Sequence, residues 1–211
     1  MSPSLSNAKV LKQEPLKAED AKWVKLVKTT YNSADNKTRD WESAERRTRP
    51  KGSLIDGVGI VAILDRANGP EILLQKQFRP PIDKIVIEVP AGLIDEGETA
   101  ETCAVRELLE ETGYHGKPME GGLSKTPIMF NDPGFCNTNL NMVHVTVDMS
   151  DPRNQNPQPQ MEENEFIECF SVPLTRLYEE CARFESQGYA IDARVGTLAE
   201  GIEVAKKWKM S

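Results

Sequence analysis

The most informative stretch of the chain runs from Gly92 to Tyr114 and reads GLIDEGETAETCAVRELLEETGY. Its second part, Ala100–Thr112, predicts a helix that ends at Gly113, because a glycine just past a helix readily takes the left-handed conformation. At about 100° per residue, the small and aliphatic side chains of this helix share one side. The opposite side carries three carboxylates, those of Glu107, Glu110 and Glu111. The helix therefore has one face for a core and one acidic face.

The acidic face has two interpretations. Like charges three and four residues apart repel by a few tenths of a kcal/mol per pair even in water, and a bound cation would offset that repulsion. Ligands that are all oxygens suit a hard ion such as Mg²⁺ or Mn²⁺. The alternative is the ordinary solvated face of an amphipathic helix. The preceding loop favours the metal site, since Gly92 and Gly97 permit unusual backbone geometry and Arg106 stands among the acids as an internal partner.

The composition is that of a globular enzyme. The chain has 211 residues, of which 28% are charged and 38% hydrophobic, enough to bury a core without disulfides or a structural metal. A net charge of −7 argues against a broad nucleic-acid-binding surface. No apolar run approaches the ~18 residues of a membrane span, and the first residues lack the apolar segment of a secretory signal. Four scattered cysteines and two histidines disfavour a zinc site and fit a cytoplasmic or nuclear location.

Three parts follow one another along the chain. Residues 1–20 are polar and predict a mobile tail. Residues 21–52 predict a small antiparallel β unit, and residues 53–211 predict the main domain. The strands expected in these two parts are Ala21–Tyr31, Thr38–Arg47, Gly57–Leu64, Glu71–Gln77, Lys84–Val89, Met119–Thr126, Asn141–Asp148 and Glu165–Ser171.

Two further helices are expected near the end of the chain. Apolar residues recur at i, i+3, i+4 and i+7 from Leu174 and again from Val195. Before them, Asp151–Asn164 forms a long polar loop that at this length is either functional or disordered. The predicted fold class is α+β, a mixed and largely antiparallel sheet covered by helices and preceded by the small β unit.

The 23-residue stretch resembles the Nudix box, G-x5-E-x7-R-E-U-x-E-E-x-G-U, where U is a bulky apolar residue. Every fixed position is met, although the last U is commonly aliphatic. The resemblance implies the α/β/α sandwich of the Nudix fold, in which the box holds Mg²⁺ against a diphosphate. It also implies hydrolysis of a nucleoside diphosphate linked to another group. The matching residues are Gly92, Glu98, Arg106, Glu107, Leu108, Glu110, Glu111, Gly113 and Tyr114.

Further segments resemble the eukaryotic ADP-sugar pyrophosphatases, which include ADP-ribose pyrophosphatases: KWVKLVKTTY, TRDWESAERR, KQFRPP, EVPAGLIDEGET and EFIECFSVP. The similarity extends over most of residues 21–195. In that family two subunits exchange the small β unit, so the resemblance implies a homodimer whose aromatic residues sandwich adenine. The matching residues are Trp23 and Trp41, for which packing in a core is the alternative.

The resemblance also assigns site residues. Glu107 and Glu111 are the implied main metal ligands, Glu110 is a bridging or outer ligand with a share in catalysis, and the Ala91 carbonyl completes the site. Arg46 and Arg79 are the implied diphosphate contacts, with a solvated basic turn as the alternative for Arg46. The implied general base is a glutamate of the acidic loop before the last strand. Glu165 is favoured there over Glu163, and a solvated loop end is the alternative.

The predicted function is Mg²⁺-dependent hydrolysis of ADP-ribose, and of related ADP-sugars, to AMP and ribose 5-phosphate, with Mn²⁺ as the other candidate ion. An enzyme for another nucleoside diphosphate derivative and a non-catalytic nucleotide sensor are the alternatives, as is a dimer that serves mainly as a scaffold. Intact box glutamates favour an enzyme over a sensor. The expected partners are a nucleotide sugar and a second subunit, without nucleic acid or membrane, in the cytoplasm.

Overall fold

The computed structural model describes residues 4–162 and 164–210 of the chain, so Glu163, the second candidate for the general base, lies outside the described residues. Strands β1 (Val24–Asn32) and β2 (Thr38–Arg46) pair antiparallel and form a two-stranded sheet of their own. This hairpin confirms the predicted small N-terminal β unit. Its side chains are mostly exposed, so it contributes little to the core.

A mixed nine-stranded sheet forms the centre of the described part of the chain. Its main path runs β11-β5-β4-β3-β9-β7, while β10 pairs with β4, β6 with β3 and β8 with β9. Pairing is antiparallel except between β3 and β9 and between β5 and β11. The strands are β3 (Gly57–Arg66), β4 (Gly69–Arg79), β5 (Lys84–Glu88), β6 (Ala91–Leu93), β7 (Lys117–Pro118), β8 (Met129–Phe130), β9 (Asn139–Asp148), β10 (Ile167–Pro173) and β11 (Ala190–Ile191).

Helices cover both faces of this sheet. Helix α1 (Ala100–Thr112) packs on one face, and α2 (Leu177–Ser186) and α3 (Ala193–Trp208) pack on the other. Side chains alternate along β3, so that Ile60 faces the α1 cluster and Val61 faces the α2 and α3 cluster. A strand buried on both faces reads as a continuous apolar run, which explains the GVGIVAIL sequence of β3. The arrangement is the predicted α/β/α sandwich.

Local signals place the ends of α1. Thr99 caps its first turn in a reciprocal arrangement with Thr102, and Gly113 follows its last turn at φ 74°. The predicted bounds of this helix are confirmed. A side chain at position 113 would also collide with the long polar loop, because a Cβ there would lie 2.3 Å from the Gln158 nitrogen. The loop bonds to the helix end as well, since the Gln160 N–H donates to the Glu110 carbonyl at 2.7 Å.

The predicted strand Met119–Thr126 is wrong. A 3₁₀ turn at Gly121–Leu123 interrupts it, because Gly121 takes a φ of 78° that extended backbone excludes. Residues on both sides of the turn still bond to β9: the Met119 N–H donates to the His144 carbonyl and the Thr126 N–H to the Met142 carbonyl. The segment therefore contacts the sheet on both sides of the turn, and its glycines interrupt the regular ladder of hydrogen bonds between these points.

The first twenty residues contact the main sheet at two points. Leu5 is buried, and the Val10 N–H donates to Asp83 Oδ1 at 2.8 Å. The mobility of this segment and the domain boundaries stay predictions. Among residues 4–162 and 164–210, no helix combines the length and apolarity needed to span a bilayer.

Candidate active site

Arg106 organises the acidic face of α1. Its guanidinium binds Glu98 through two hydrogen bonds of 3.0 and 2.9 Å, and it donates to Glu107 at 2.8 Å and to Glu110 at 3.1 Å. It also donates to the Leu93 carbonyl at 3.2 Å, which ties the helix to β6. This guanidinium holds the pKa of Glu98 below its ordinary value, and the Glu98 and Glu107 carboxylates raise the pKa of Arg106 in turn. The box arginine therefore fixes the loop and the helix against each other.

Glu111 has a different environment from the other box glutamates. Its side chain is only 4% exposed, and its carboxylate accepts the Ala91 N–H at 3.0 Å. Burial raises the pKa of Glu111 to about 8, with repulsion from Glu107 and Glu165 acting in the same direction. A carboxylate with so little positive charge around it is a ready ligand for a cation.

Glu107 lies directly over the loop that precedes the helix. A Cβ added at Gly92 would lie 1.9 Å from Glu107 Cδ, so only glycine leaves room for this carboxylate. Burial is the main influence on Glu107 and raises its pKa, against the lowering effect of Arg106. The sequence requirement for glycine at this position thus has a direct steric cause.

The donor set fits a hard divalent cation. Glu107, Glu111 and the Ala91 backbone meet where β6 touches α1, and all of these donors are oxygens. Within the described residues, no three acidic, histidine or cysteine side chains converge closely enough to form a finished metal cage. Arg106 accounts for this, because it draws Glu107 and Glu110 toward itself. Burial raises the pKa of Glu107 and of Glu111, and a bound cation would stabilise the charged form of both carboxylates.

Glu165 lies in the loop before β10 and interacts electrostatically with Glu107 and Glu111. Its carboxylate accepts the Glu162 N–H at 3.1 Å. Its charge adds to the pKa rise of both Glu107 and Glu111, behind the larger effect of their burial. Of the two expected base residues, Glu165 is therefore the one that the structure describes, and it is electrostatically coupled to the acidic face.

A cavity of about 300 Å³ adjoins this face. We call it the arginine cavity, since Arg46, Arg79 and Arg194 all line it. The strand Ala91–Leu93 forms part of its wall, so the cavity begins where the glutamate cluster ends. Its other lining residues are Asp56, Gly57, Val58, Asn131, Thr138, Asn139 and Leu140.

Two of these arginines are paired with acidic side chains, one buried and one partly buried. Arg79 forms a two-point ion pair of 2.8 and 2.5 Å with Glu88, which is 3% exposed, and this pair raises the pKa of Arg79. Arg194 pairs with Asp192 at 2.8 and 2.7 Å. Each guanidinium has five donors, so a pair of this kind orients it and still leaves donors for an anion.

Sequence reasoning missed Arg194. The signal that could have found it is its place in the first turn of α3, where the helix dipole disfavours a cation. The capping residue Asp192 removes that penalty by pairing with it. Only the packing of α3 on the sheet brings Arg194 beside Arg46 and Arg79.

The structure does not bring the two expected adenine-stacking residues together in one chain. Trp23 is 67% exposed and Trp41 is 51% exposed, so neither is a core residue. Trp41 donates its indole N–H to the Gly134 carbonyl at 3.0 Å. In the β1–β2 register, Trp41 faces Thr29, and Trp23 immediately precedes β1. Six residues of extended strand separate Trp23 from Thr29, which is about 20 Å.

The family is now defined. The NUDIX domain family matches residues 54–193. This range includes the nine-stranded sheet, α1, α2, the box and the lining of the arginine cavity apart from Arg46 and Arg194. The chain belongs to the Nudix family and is a Nudix hydrolase, a class of enzymes that generally use divalent metal ions.

Within this family, the chain is similar to several pyrophosphatases. The chain is 52% identical over 205 residues to the ADP-ribose pyrophosphatase of Saccharomyces cerevisiae, covering 96% of this chain and 87% of the relative. It is 41% identical over 181 residues to the ADP-sugar pyrophosphatase of Mus musculus, covering 83% and 79%. It is 34% identical over 124 residues to an ADP-ribose pyrophosphatase of Bacillus subtilis, covering 59% and 63%. The match to the yeast relative covers 96% of this chain and therefore extends over the N-terminal hairpin.

Proposed function

We propose that this protein hydrolyses the diphosphate of ADP-ribose to AMP and ribose 5-phosphate, and that of related ADP-sugars to AMP and the corresponding sugar phosphate, with Mg²⁺ as its metal ion. The observation that carries this proposal is the position of Ala91–Leu93, which borders Glu107 and Glu111 on one side and the arginine cavity on the other. A diphosphate needs both features. Metal ions held by the carboxylates neutralise part of its charge, and guanidinium groups bind the rest. The yeast and mouse relatives are named for this substrate class.

Each site residue then has a role. Glu107, Glu111 and the Ala91 carbonyl would hold the ion, with Glu110 at the outer edge. When bound, a divalent ion supplies charge neutralisation at the phosphoryl oxygens and lowers the pKa of a bound water. Arg46 and Arg79 bind diphosphate oxygens, because a planar guanidinium matches them better than an ammonium does.

Glu165 is the proposed general base. It takes a proton from the attacking water as the new oxygen–phosphorus bond forms. The bond between that phosphorus and the bridging oxygen breaks, and the diphosphate separates into two monophosphates. Coupling of Glu165 to Glu107 and Glu111 supports this role over that of a solvated loop end.

We further propose a homodimer in which the hairpins are exchanged. Two rings that sandwich one base lie within twice the spacing of a stacked pair, far less than the ~20 Å between Trp23 and Trp41 along one hairpin. An adenine sandwich made of both indoles therefore needs one from each of two hairpins. The exposed apolar side chains of the hairpin, Trp23, Leu26 and Trp41 among them, support an association of this kind. The cytoplasmic location stays a prediction from composition.

The test is a product assay on the purified protein. With Mg²⁺ and ADP-ribose, we expect AMP and ribose 5-phosphate in equal amounts, resolved by chromatography. Glu107→Gln and Glu111→Gln should each lower kcat/KM about a thousandfold, since they remove several kcal/mol of transition-state charge stabilisation. Glu101→Gln is the matched control, because Glu101 lies on the same helix but pairs with Lys125.

The assay also separates the alternatives. Turnover of an oxidised nucleoside diphosphate in preference to ADP-ribose and ADP-glucose would replace the proposed substrate. Binding of ADP-ribose without turnover of any of the three would favour a nucleotide sensor. Replacing Mg²⁺ by Mn²⁺ in the same assay decides which ion supports the higher rate.

A further inference from the structure

A buried glutamine of the main sheet lies on the face that α1 and Glu111 cover. Gln75 lies in the middle of β4, and only 1% of it is exposed. Its neighbour two residues earlier, Leu73, faces the α1 cluster, and Cys169, directly across from it on β10, packs against that cluster as well. The side chain of Gln75 therefore points toward α1, between the apolar side chains of Leu73 and Cys169.

The element opposite this glutamine is the helix end that carries Glu111. Cys169 Sγ donates to the Glu111 carbonyl at 3.6 Å, which fixes the last turn of α1 over this part of β4 and β10. Burial raises the pKa of the Glu111 carboxyl most, while the Ala91 amide, which donates to it at 3.0 Å, and the nearby Gln75 side chain act in the opposite direction. On the other flank of Gln75 stands Glu88, whose carboxylate is occupied by Arg79.

The amide of Gln75 is incompletely satisfied. Among the described residues, no donor bonds to its Oε1, although this atom is buried. A buried polar atom without a partner lowers the free energy of unfolding, and an apolar side chain of the same length would avoid that loss. The fold therefore does not require glutamine here, and a different reason for it is needed.

We propose that Gln75 is a positioning residue that orients the Glu111 carboxylate for metal binding. The inference rests on the proposed function, in which Glu111 is a metal ligand. The Ala91 backbone amide holds this carboxylate from β6 at 3.0 Å. The Gln75 side chain is buried on β4 beside Cys169, which contacts the same turn of α1, and is therefore placed to hold the carboxylate from a second direction. Outer hydrogen bonds of this kind fix the orientation of a ligand, and their loss weakens metal binding without removing a ligand.

The test compares three variants by Mn²⁺ titration, with free Mn²⁺ measured by electron paramagnetic resonance. Gln75→Met keeps the length of the side chain and removes the amide. Leu73→Met is the matched control, because it makes the same kind of change on the same face of the same strand. Glu111→Gln removes the proposed ligand itself. Thermal unfolding of each variant without metal reports the stability of the fold.

We expect Gln75→Met to raise the Kd for Mn²⁺ about tenfold while the unfolding temperature stays equal or rises. Excess Mn²⁺ should restore kcat in Gln75→Met but not in Glu111→Gln. Leu73→Met should bind Mn²⁺ as the unmodified protein does. Should Gln75→Met fail to fold, Gln75→Leu takes its place in the same comparison.

Two results would overturn the inference. If Glu111→Gln weakens Mn²⁺ binding but Gln75→Met does not, Gln75 has no positioning role and the metal site stands. If neither variant changes the Kd, the metal site is elsewhere, and the proposed function of Glu111 falls together with the inference.

Discussion

The glutamates of the Nudix box lie in four different environments, although their side chains are identical. They are Glu98, Glu107, Glu110 and Glu111. Arg106 holds Glu98 in its charged form and lowers its pKa, whereas burial raises the pKa of Glu111 to about 8. Burial also raises the pKa of Glu107. The Glu110 side chain is partly exposed at the edge of the cluster. Differences in burial and in distance to one arginine therefore divide a uniform acidic motif into structural and ligand positions.

Glu165 should be separable from the metal ligands by mutation. Glu165→Gln removes the proposed base and should lower kcat by about a hundredfold to ten-thousandfold, the usual worth of a general base. Mn²⁺ affinity should fall far less than in Glu111→Gln. The measurement is steady-state hydrolysis of ADP-ribose together with a Mn²⁺ titration.

Glu162→Gln serves as the control for this loop, because Glu162 is exposed and bonds to Glu165 through its backbone N–H and carbonyl, which the substitution keeps. Equal losses in the two variants would show that the acidic loop acts by its overall charge. Full activity in Glu165→Gln would transfer the role of base to another glutamate of the loop.

At the scale of elements, the site depends on how closely β6 approaches α1. Gly57 on β3 allows this approach, since a Cβ there would lie 2.2 Å from the Gly92 carbonyl oxygen. Gly92 in turn leaves room for the Glu107 side chain. Strands β3 and β6 and helix α1 thus pack closely because Gly57 and Gly92 have no side chain. The proposed metal ligands lie on α1, the last of these three elements.

Gly92→Ala should therefore damage the site more than the fold. The added Cβ collides with the end of a flexible side chain, so Glu107 moves aside and the backbone need not. A displacement of about 1 Å in a ligand can cost about a hundredfold in kcat/KM. Denaturant unfolding should show a change typical of a surface substitution, within about 0.5 kcal/mol.

Gly122→Ala provides the comparison, because a Cβ at that position meets no atom within 4 Å. Its activity should equal that of the unmodified protein. If Gly92→Ala retains full activity, Glu107 can bind from a second position and the steric argument is wrong.

At the scale of the whole molecule, the hairpin of β1 and β2 has more apolar surface than one subunit covers. Trp23, Leu26 and Trp41 are exposed, and the contacts of Ala44 with Phe135 and Asn137 join the hairpin to the sandwich only through a loop. Extended apolar surface of this kind usually marks an interface. A composite site made from two subunits would account for it.

Mixing two variants with weakened substrate binding tests this arrangement. Trp23→Ala and Trp41→Ala should each raise KM for ADP-ribose, because each removes one side of the adenine sandwich. If the two indoles of a site come from different subunits, each mixed dimer has one intact site and one doubly altered site. Unfolding and refolding the two variants together should then recover about a quarter of full activity, since half of the symmetric dimers that form are mixed.

Sedimentation at micromolar concentration gives the independent check, with a mass of two chains expected. A monomer, or a mixture no more active than its components, would contradict the exchange and leave adenine stacking to one indole alone. The hydrolytic chemistry of the box would be unaffected by that result.

Much of the fold was predictable because its signals are local. The bounds of α1 follow from the cap at Thr99, the glycine at Gly113 and the 3.6-residue period between them. The strand Met119–Thr126 could not be predicted correctly, because Gly121 allows a 3₁₀ turn between two points that both bond to β9. The residue types of a segment indicate that it lies at the sheet, but not whether its backbone stays extended throughout.

The sequence by itself determined the Nudix family, the helix with its acidic face and the requirement for glycine at Gly92. All of these depend on residues within a few turns of one another, where spacing along the chain is also spacing in space. Tertiary structure alone decided that Arg194 lines the arginine cavity, that Gln75 is buried on the face of the sheet covered by α1, and that Glu111 rather than Glu110 is buried. These residues come from β4, α3 and α1, and only the burial of apolar faces on both sides of one sheet brings such distant segments together.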